Sequence, residues 1–160
     1  MPADVATPRL AAITLDEKTL VRRAPEAEHE RAIAIYDLLE ENFFKPVGDF
    51  TGPFALAIRL EDNRLVFDIQ DQTSGQAVEV TLPMTPFRSI IKDYFLICES
   101  YYSAIKRSTP EQIEAIDVGR RGLHNEGSDL LRERLADKIE IDRITSRRLF
   151  TLMCILHIRG

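Results

Sequence analysis

The segment FALAIRLEDNRLVFDI, Phe54–Ile69, decides the fold. Phe54, Leu56, Ile58 and Leu60 alternate with Ala55, Ala57, Arg59 and Glu61, the period-two pattern of a strand with one buried face. Asp62 and Asn63 supply a two-residue hairpin turn, and Leu65, Phe67 and Ile69 alternate on the return. A turn of that length pairs Leu60 with Leu65, Ile58 with Phe67, Leu56 with Ile69, and Glu61 with Arg64. The large apolar side chains then all fall on one face, so turn length and periodicity specify the same register.

Downstream, DQTSGQ (71–76) makes a second turn, and Val78, Val80 and Leu82 extend the hairpin to an antiparallel meander. One face of it is apolar and the other polar, so helices are expected over the apolar face. Upstream, KPVGDFTGP (45–53) carries two prolines and two glycines and is a connection. Before it, EAEHERAIAIYDLLEENF (26–43) places Ala32, Ile35, Leu38, Leu39 and Phe43 at helical spacing, with Pro25 at the first position. His29 falls on its polar side and is expected to be exposed. Ala11, Ile13 and Leu15 alternate weakly, which predicts an edge strand, and residues 1–8 are expected to be frayed.

Beyond the meander the pattern turns helical. Thr85 as cap and Pro86 at the first position open a helix striped with Ile90, Ile91, Tyr94, Phe95, Cys98, Tyr101, Tyr102 and Ile105. Thr109 and Gln112 have the spacing of a capping box around Pro110 and Glu111. The last segment, DRITSRRLFTLMCILHIRG (142–160), has Asp142 as a cap candidate and a body apolar nearly all round, so it is expected to be central. Leucine and methionine outnumber β-branched residues there, which favours helix over strand.

DVGRRGLHNEGSDLL, Asp117–Leu131, holds three glycines in a helical frame. Each costs roughly 1 kcal/mol against alanine in a helix interior. Either the helix breaks at Gly127, with Ser128 capping a second one, or another backbone or a ligand approaches closely. Asp117 and Arg121 have the i,i+4 order of a salt pair. Arg120, Arg121, His124 and Asn125 are candidate ligand-binding residues, since arginine holds carboxylates and phosphates and histidine moves protons near neutrality. Glu126 joins His124 as a catalytic candidate only if the helix breaks, because residues two apart face different sides of a regular helix. Arg147 and Arg148, just before the apolar C-terminal body, complete the candidate set. As a solvent-exposed flank they have no role; turned inward, one of them meets Asp117, Glu126 or a bound anion.

The formal net charge is −5, which argues against a nucleic-acid groove, since duplex binding needs a basic footprint. Cys98 and Cys154 sit in separate apolar segments with no metal-ligand spacing, so no metal site and no cofactor is expected. The opening MPADVATPRL lacks the pattern of a secretory signal, and the longest apolar tract, Leu149–Leu156, is interrupted by Thr151 and too short for a bilayer. A cytoplasmic protein with no membrane association is expected. No Ser/His/Asp set or phosphate loop is present.

Five stretches in order, FFKPVGDFTGPF, RLVFDI, TPFRSIIKDYFLICESYYSAI, IDVGRRGLHNEGSDLL and SRRLFTLMCILHIRG, resemble a family of short uncharacterised cytoplasmic proteins from alphaproteobacteria. The resemblance runs from about the first helix onward. It implies a bacterial cytoplasmic protein and brings no activity, substrate or cofactor with it.

The expected fold is therefore a single α+β domain over residues 1–160. A small antiparallel meander of three to four strands is packed on one face by three or four helices, with the C-terminal element central. Two function classes stay open. One is a non-catalytic interaction or regulatory module, with the glycine-bearing face as a seat for a partner protein. The other is an enzyme or small-ligand binder acting on an anionic, phosphorylated or similar, molecule through Arg120 and His124. Neither oligomeric state nor turnover is legible.

Overall fold

A computed structural model describes residues 8–16 and 25–157 of the chain. It is an α+β structure. In chain order its elements are β1 (Leu10–Leu15), α1 (Pro25–Glu40), β2 (Phe44–Pro46), β3 (Phe54–Glu61), β4 (Arg64–Asp71), β5 (Ala77–Pro83), a 3-10 turn (Thr85–Phe87), α2 (Arg88–Arg107), α3 (Pro110–Leu135), β6 (Ile139–Ile141) and α4 (Arg143–His157). The fraying expected of residues 1–8 lies outside the described residues except at Pro8, whose carbonyl accepts from Phe44 N at 3.1 Å.

The hairpin register is the one the sequence dictates: Leu60 faces Leu65, Ile58 faces Phe67, Leu56 faces Ile69 and Glu61 faces Arg64. Asp62 and Asn63 both take positive φ, at 50° and 61°, the conformation a tight two-residue hairpin demands. β5 continues the meander with Ile69 opposite Val78 and Phe67 opposite Val80. The sheet order is β1-β3-β4-β5, which puts β1 at an edge. β1 runs parallel to β3, so the sheet is mixed and not purely antiparallel. The reason is the crossover: α1 and β2 intervene between the two strands. A second ribbon, β2 with β6, pairs Phe44 with Ile141 and Pro46 with Ile139.

The apolar face of the sheet (Leu56, Ile58, Leu65, Phe67, Ile69, Val80, Leu82) joins Leu149, Phe150, Leu152, Met153 and Ile155 of α4 in one core cluster. α4 is a helix and is central: it touches β3, α1 and α3, and nine of its residues are buried. Asp142 caps it by accepting from Thr145 N at 2.8 Å. On the opposite sheet face Arg59 gathers Glu61, Asp68 and Glu79.

At the end of β4, Asp71 is buried inside a ring of main-chain donors from Thr51, Gly52, Thr73 and Ser74. Those N–H groups, Thr51's foremost, hold its carboxyl at about 2 against the upward push of burial. The carboxylate fastens the loop before β3 to the turn after β4.

Three local expectations are corrected. Thr85 does not cap α2; it opens the 3-10 turn, and its hydroxyl accepts from Asn63 Nδ2 at 3.2 Å. The α2 stripe is buried only in its first half, around Ile91, while Tyr102 and Ile105 are 45% and 50% exposed. On α1, Ala34 and Leu38 face the core and Ala32 is exposed. His29 is exposed as expected.

α3 starts with the full Thr109/Gln112 capping box and continues unbroken to Leu135, so Gly127 ends nothing and Ser128 caps nothing. Gly127 is instead where α3 meets α4. A β-carbon built there would lie inside the van der Waals envelope of the Phe150 ring. Ser146 Oγ donates to the Ser128 carbonyl across the same crossing. Gly119 is more lightly crowded, by the mobile end of Ile97 at 2.8 Å, and Gly122 has no such neighbour within 4 Å. Crowding thus accounts for one glycine fully and for another in part, and nothing in the structure explains Gly122.

Candidate functional site

The α3–α4 crossing brings distant residues to one hollow. A cavity of about 300 Å³ is lined by Tyr94 of α2, Arg120, Arg121 and His124 of α3, and Arg147, Arg148 and Thr151 of α4. Adjacent residues on a helix point about 100° apart, so each arginine pair spreads around the hollow. Four arginines thus line it from two helices.

Each has a different anchor. Arg120 donates through Nε and Nη2 to Asp117 Oδ1, at 3.1 and 2.6 Å, and its guanidinium lies 4.5 Å from the centre of the Tyr101 ring. Arg121 Nε reaches the other oxygen, Asp117 Oδ2, at 3.2 Å, the i,i+4 pair anticipated from spacing. The hydrogen bond from Arg120 is the main cause holding the Asp117 carboxyl below its ordinary value. Arg147 donates to Asn125 Oδ1. Arg148 Nη1 donates to the carbonyls of Asp37 and Glu41 at 2.9 and 2.8 Å, at the C-terminal end of α1. Both of these partners are neutral. Among the described residues these four cations therefore share one paired carboxylate, in a chain whose overall charge is negative.

His124 forms the inner wall. Its ring meets Phe150 edge-on, with centroids 5.2 Å apart, and Tyr94 at 5.4 Å. Nε2 lies 2.7 Å from Thr151 Oγ1, and that hydroxyl also lies 3.2 Å from the Arg147 carbonyl, to which it donates. With the hydroxyl donating to that carbonyl, Nε2 donates to its oxygen, which favours the Nε2–H tautomer over one that would bury an unpaired Nδ1–H. Nδ1 is then a bare acceptor, buried and without a hydrogen-bond partner among the described residues. Burial first, then Arg147 and Arg120, hold the ring's pKa at about 4. His124 is thus uncharged at neutral pH.

The hollow collects Arg120, Arg121, His124, Arg147 and Arg148, and Asn125 stands behind it as the anchor of Arg147. Arg147 and Arg148 are half-buried and turned inward. Glu126 is not brought in: α3 does not break, and Glu126 stays on its exposed side. Tyr94 and Thr151 were not among the sequence candidates. Thr151 had a signal, as the one polar interruption of Leu149–Leu156; Tyr94 sat in an aromatic stripe and had none. Among the described residues no cluster of His, Cys, Asp and Glu could hold a metal ion, and no helix is long and apolar enough to cross a membrane.

The model of the uncharacterised protein family UPF0262 matches residues 7–159. The chain belongs to this family. A UPF0262 protein of Paramagnetospirillum magneticum is 66% identical over 152 residues, covering 95% of this chain and 97% of the relative. Another, from Rhodospirillum rubrum, is 60% identical over 154 residues, with 96% and 95% covered. A third, from Rhizobium etli, is 57% identical over 152 residues, with 95% and 96% covered. No solved structure matches the chain. UPF0262 is a bacterial family with no known function, so the chemistry of the hollow is the guide to what this member does.

Proposed function

We propose that this UPF0262 protein is a non-catalytic module of the cytoplasm that binds a small anionic molecule in the hollow between α3 and α4. The observation that carries this reading is the arginine quartet: four arginines line one cavity and Asp117 is the carboxylate that pairs with two of them. Like charges gathered this way repel, and an anion among them relieves the repulsion. Arginine also presents donors in a planar fork suited to oxyanions. A reducing compartment suits the two free thiols, Cys98 and Cys154.

Two further features favour this reading over its rivals. Two of the three glycines that would seat a partner helix, Gly127 and Gly119, are covered by the chain's own Phe150 and Ile97. An enzyme that donates a proton to its substrate would draw on His124, and a ring with a pKa of about 4 carries few protons at neutral pH. The test is a melting screen of the wild type and Arg147→Gln against a panel of small anions at fixed ionic strength. An anion is expected to raise the wild-type melting temperature through linkage, and the variant is expected to lose that shift while keeping its fold. Equal shifts in both proteins refute the site.

A further inference from the structure

Resting on that reading, we infer that the ligand group held in the hollow is a dianionic phosphoryl group, the terminal phosphate of a monoester, with the rest of the molecule at the open mouth. The donor inventory carries it. Guanidiniums donate and cannot accept. The Thr151 hydroxyl proton is committed to the Arg147 carbonyl, its oxygen already accepts from His124 Nε2, and His124 Nδ1 is sealed away. A group bearing its own proton, such as a singly protonated phosphate, finds few acceptors in this lining. Tyr94 adds one hydroxyl that can donate or accept, and a group made only of acceptors meets donors on every other side chain that has one to offer.

Shape and charge point the same way. Planar forks arriving from two helices around a cavity of about 300 Å³ match three terminal oxygens set tetrahedrally better than the two of a flat carboxylate. That volume is at the low end for small-molecule sites, enough for a phosphoryl group and a few further atoms. Arg121 has a side chain 58% exposed and marks the mouth. Two negative charges on the ligand suit a site in which Asp117 is the carboxylate set against four guanidiniums.

The pH dependence of binding should then belong to the ligand. The titratable groups around the hollow are Tyr94 and Cys98 of α2, Asp117, Arg120, Arg121 and His124 of α3, and Arg147, Arg148 and Cys154 of α4. Glu30 of α1 acts on Tyr94 and both thiols, while Asp37 and Glu41 meet Arg148 through carbonyls. His124 titrates near 4, Asp117 lies below its ordinary range, and burial pushes Cys98, Cys154 and Tyr94 up. A phosphate monoester takes up its second proton near pH 6. Its dianionic fraction falls about tenfold from pH 8 to pH 5, whereas sulfate stays a dianion across that range.

The experiment is calorimetric titration of the full chain with phenyl phosphate, sulfate and acetate at pH 8 and pH 5, repeated with the Arg121→Gln/Arg147→Gln double variant. The expected result is phenyl phosphate and sulfate binding at pH 8, with phenyl phosphate about tenfold weaker at pH 5, sulfate unchanged, and acetate silent. The double variant should melt like the wild type and bind none of them. Phenyl phosphate binding equally at both pH values, or acetate matching it, overturns the dianion inference and leaves the anion pocket standing. No binding of any of the three overturns both. Binding retained in the double variant overturns the location.

Discussion

At the scale of single residues, two of the three glycines of α3, Gly127 and Gly122, make opposite predictions from one observation. Gly127→Ala gains roughly 1 kcal/mol of helix propensity and meets the Phe150 ring, where overpacking costs about 3 kcal/mol. A net loss of about 2 kcal/mol is expected in denaturant unfolding. Gly122→Ala meets no such neighbour and should stabilise by about 0.5–1 kcal/mol. Stabilisation by both would show that the α3–α4 crossing is looser than described. Two titrating groups, the half-buried His124 and the buried Asp71, set separate pH windows. The unfolded His124 binds a proton below about 6.5 that the folded ring refuses until about 4, so stability falls as pH drops through that interval. Asp71 contributes stability above about 3.9, its unfolded value, and this is lost as pH falls toward 2. Melting temperature against pH should show both slopes. His124→Gln should flatten the upper one and Asp71→Asn the lower one. A curve for His124→Gln parallel to the wild type between pH 6.5 and 4 would contradict the neutral, half-buried ring.

At the scale of elements, what short-range spacing could supply was legible and what packing supplies was not. The Thr109 capping box and the Asp142 cap involve neighbours three residues apart, and both form. The hairpin register follows from a two-residue turn and a period of two. The α2 stripe misled because an amphipathic pattern says which face is apolar and not how far along it a neighbour extends; Tyr102 and Ile105 lie beyond the reach of the core. The β2–β6 ribbon escaped because strands of three residues carry too little pattern and the two lie almost 100 residues apart, and the parallel setting of β1 escaped because alternation marks a strand and not the direction of its partner. Arg148 binds elements together. Its guanidinium caps the end of α1 through two carbonyls, so Arg148→Met should cost about 1 kcal/mol. It should also speed amide exchange in the last turn of α1 while leaving β3–β5 protected. Uniform loss of protection would show that Arg148 supports the whole fold and not that helix end.

At the scale of the molecule, one hydrophobic cluster includes residues from β1, α1, the meander, α3 and α4, with α4 in its middle. A shared core should unfold together, so calorimetry is expected to give one transition with equal calorimetric and van't Hoff enthalpies. Two resolved transitions would divide the sheet from the helices. By itself the amino-acid sequence determined the meander, its register, the starts of α1, α3 and α4 and the inward C-terminal segment, because each depends on periodicity or on groups a few positions apart. It also marked the arginines and the histidine as candidates. Only tertiary structure decided that Arg120, Arg121, Arg147 and Arg148 share one hollow, that His124 is half-buried and uncharged, and that Glu126 is left outside. Those outcomes hang on how two helices cross at Gly127 and Phe150, and a crossing is set by the fit of side chains more than 20 positions apart in the chain.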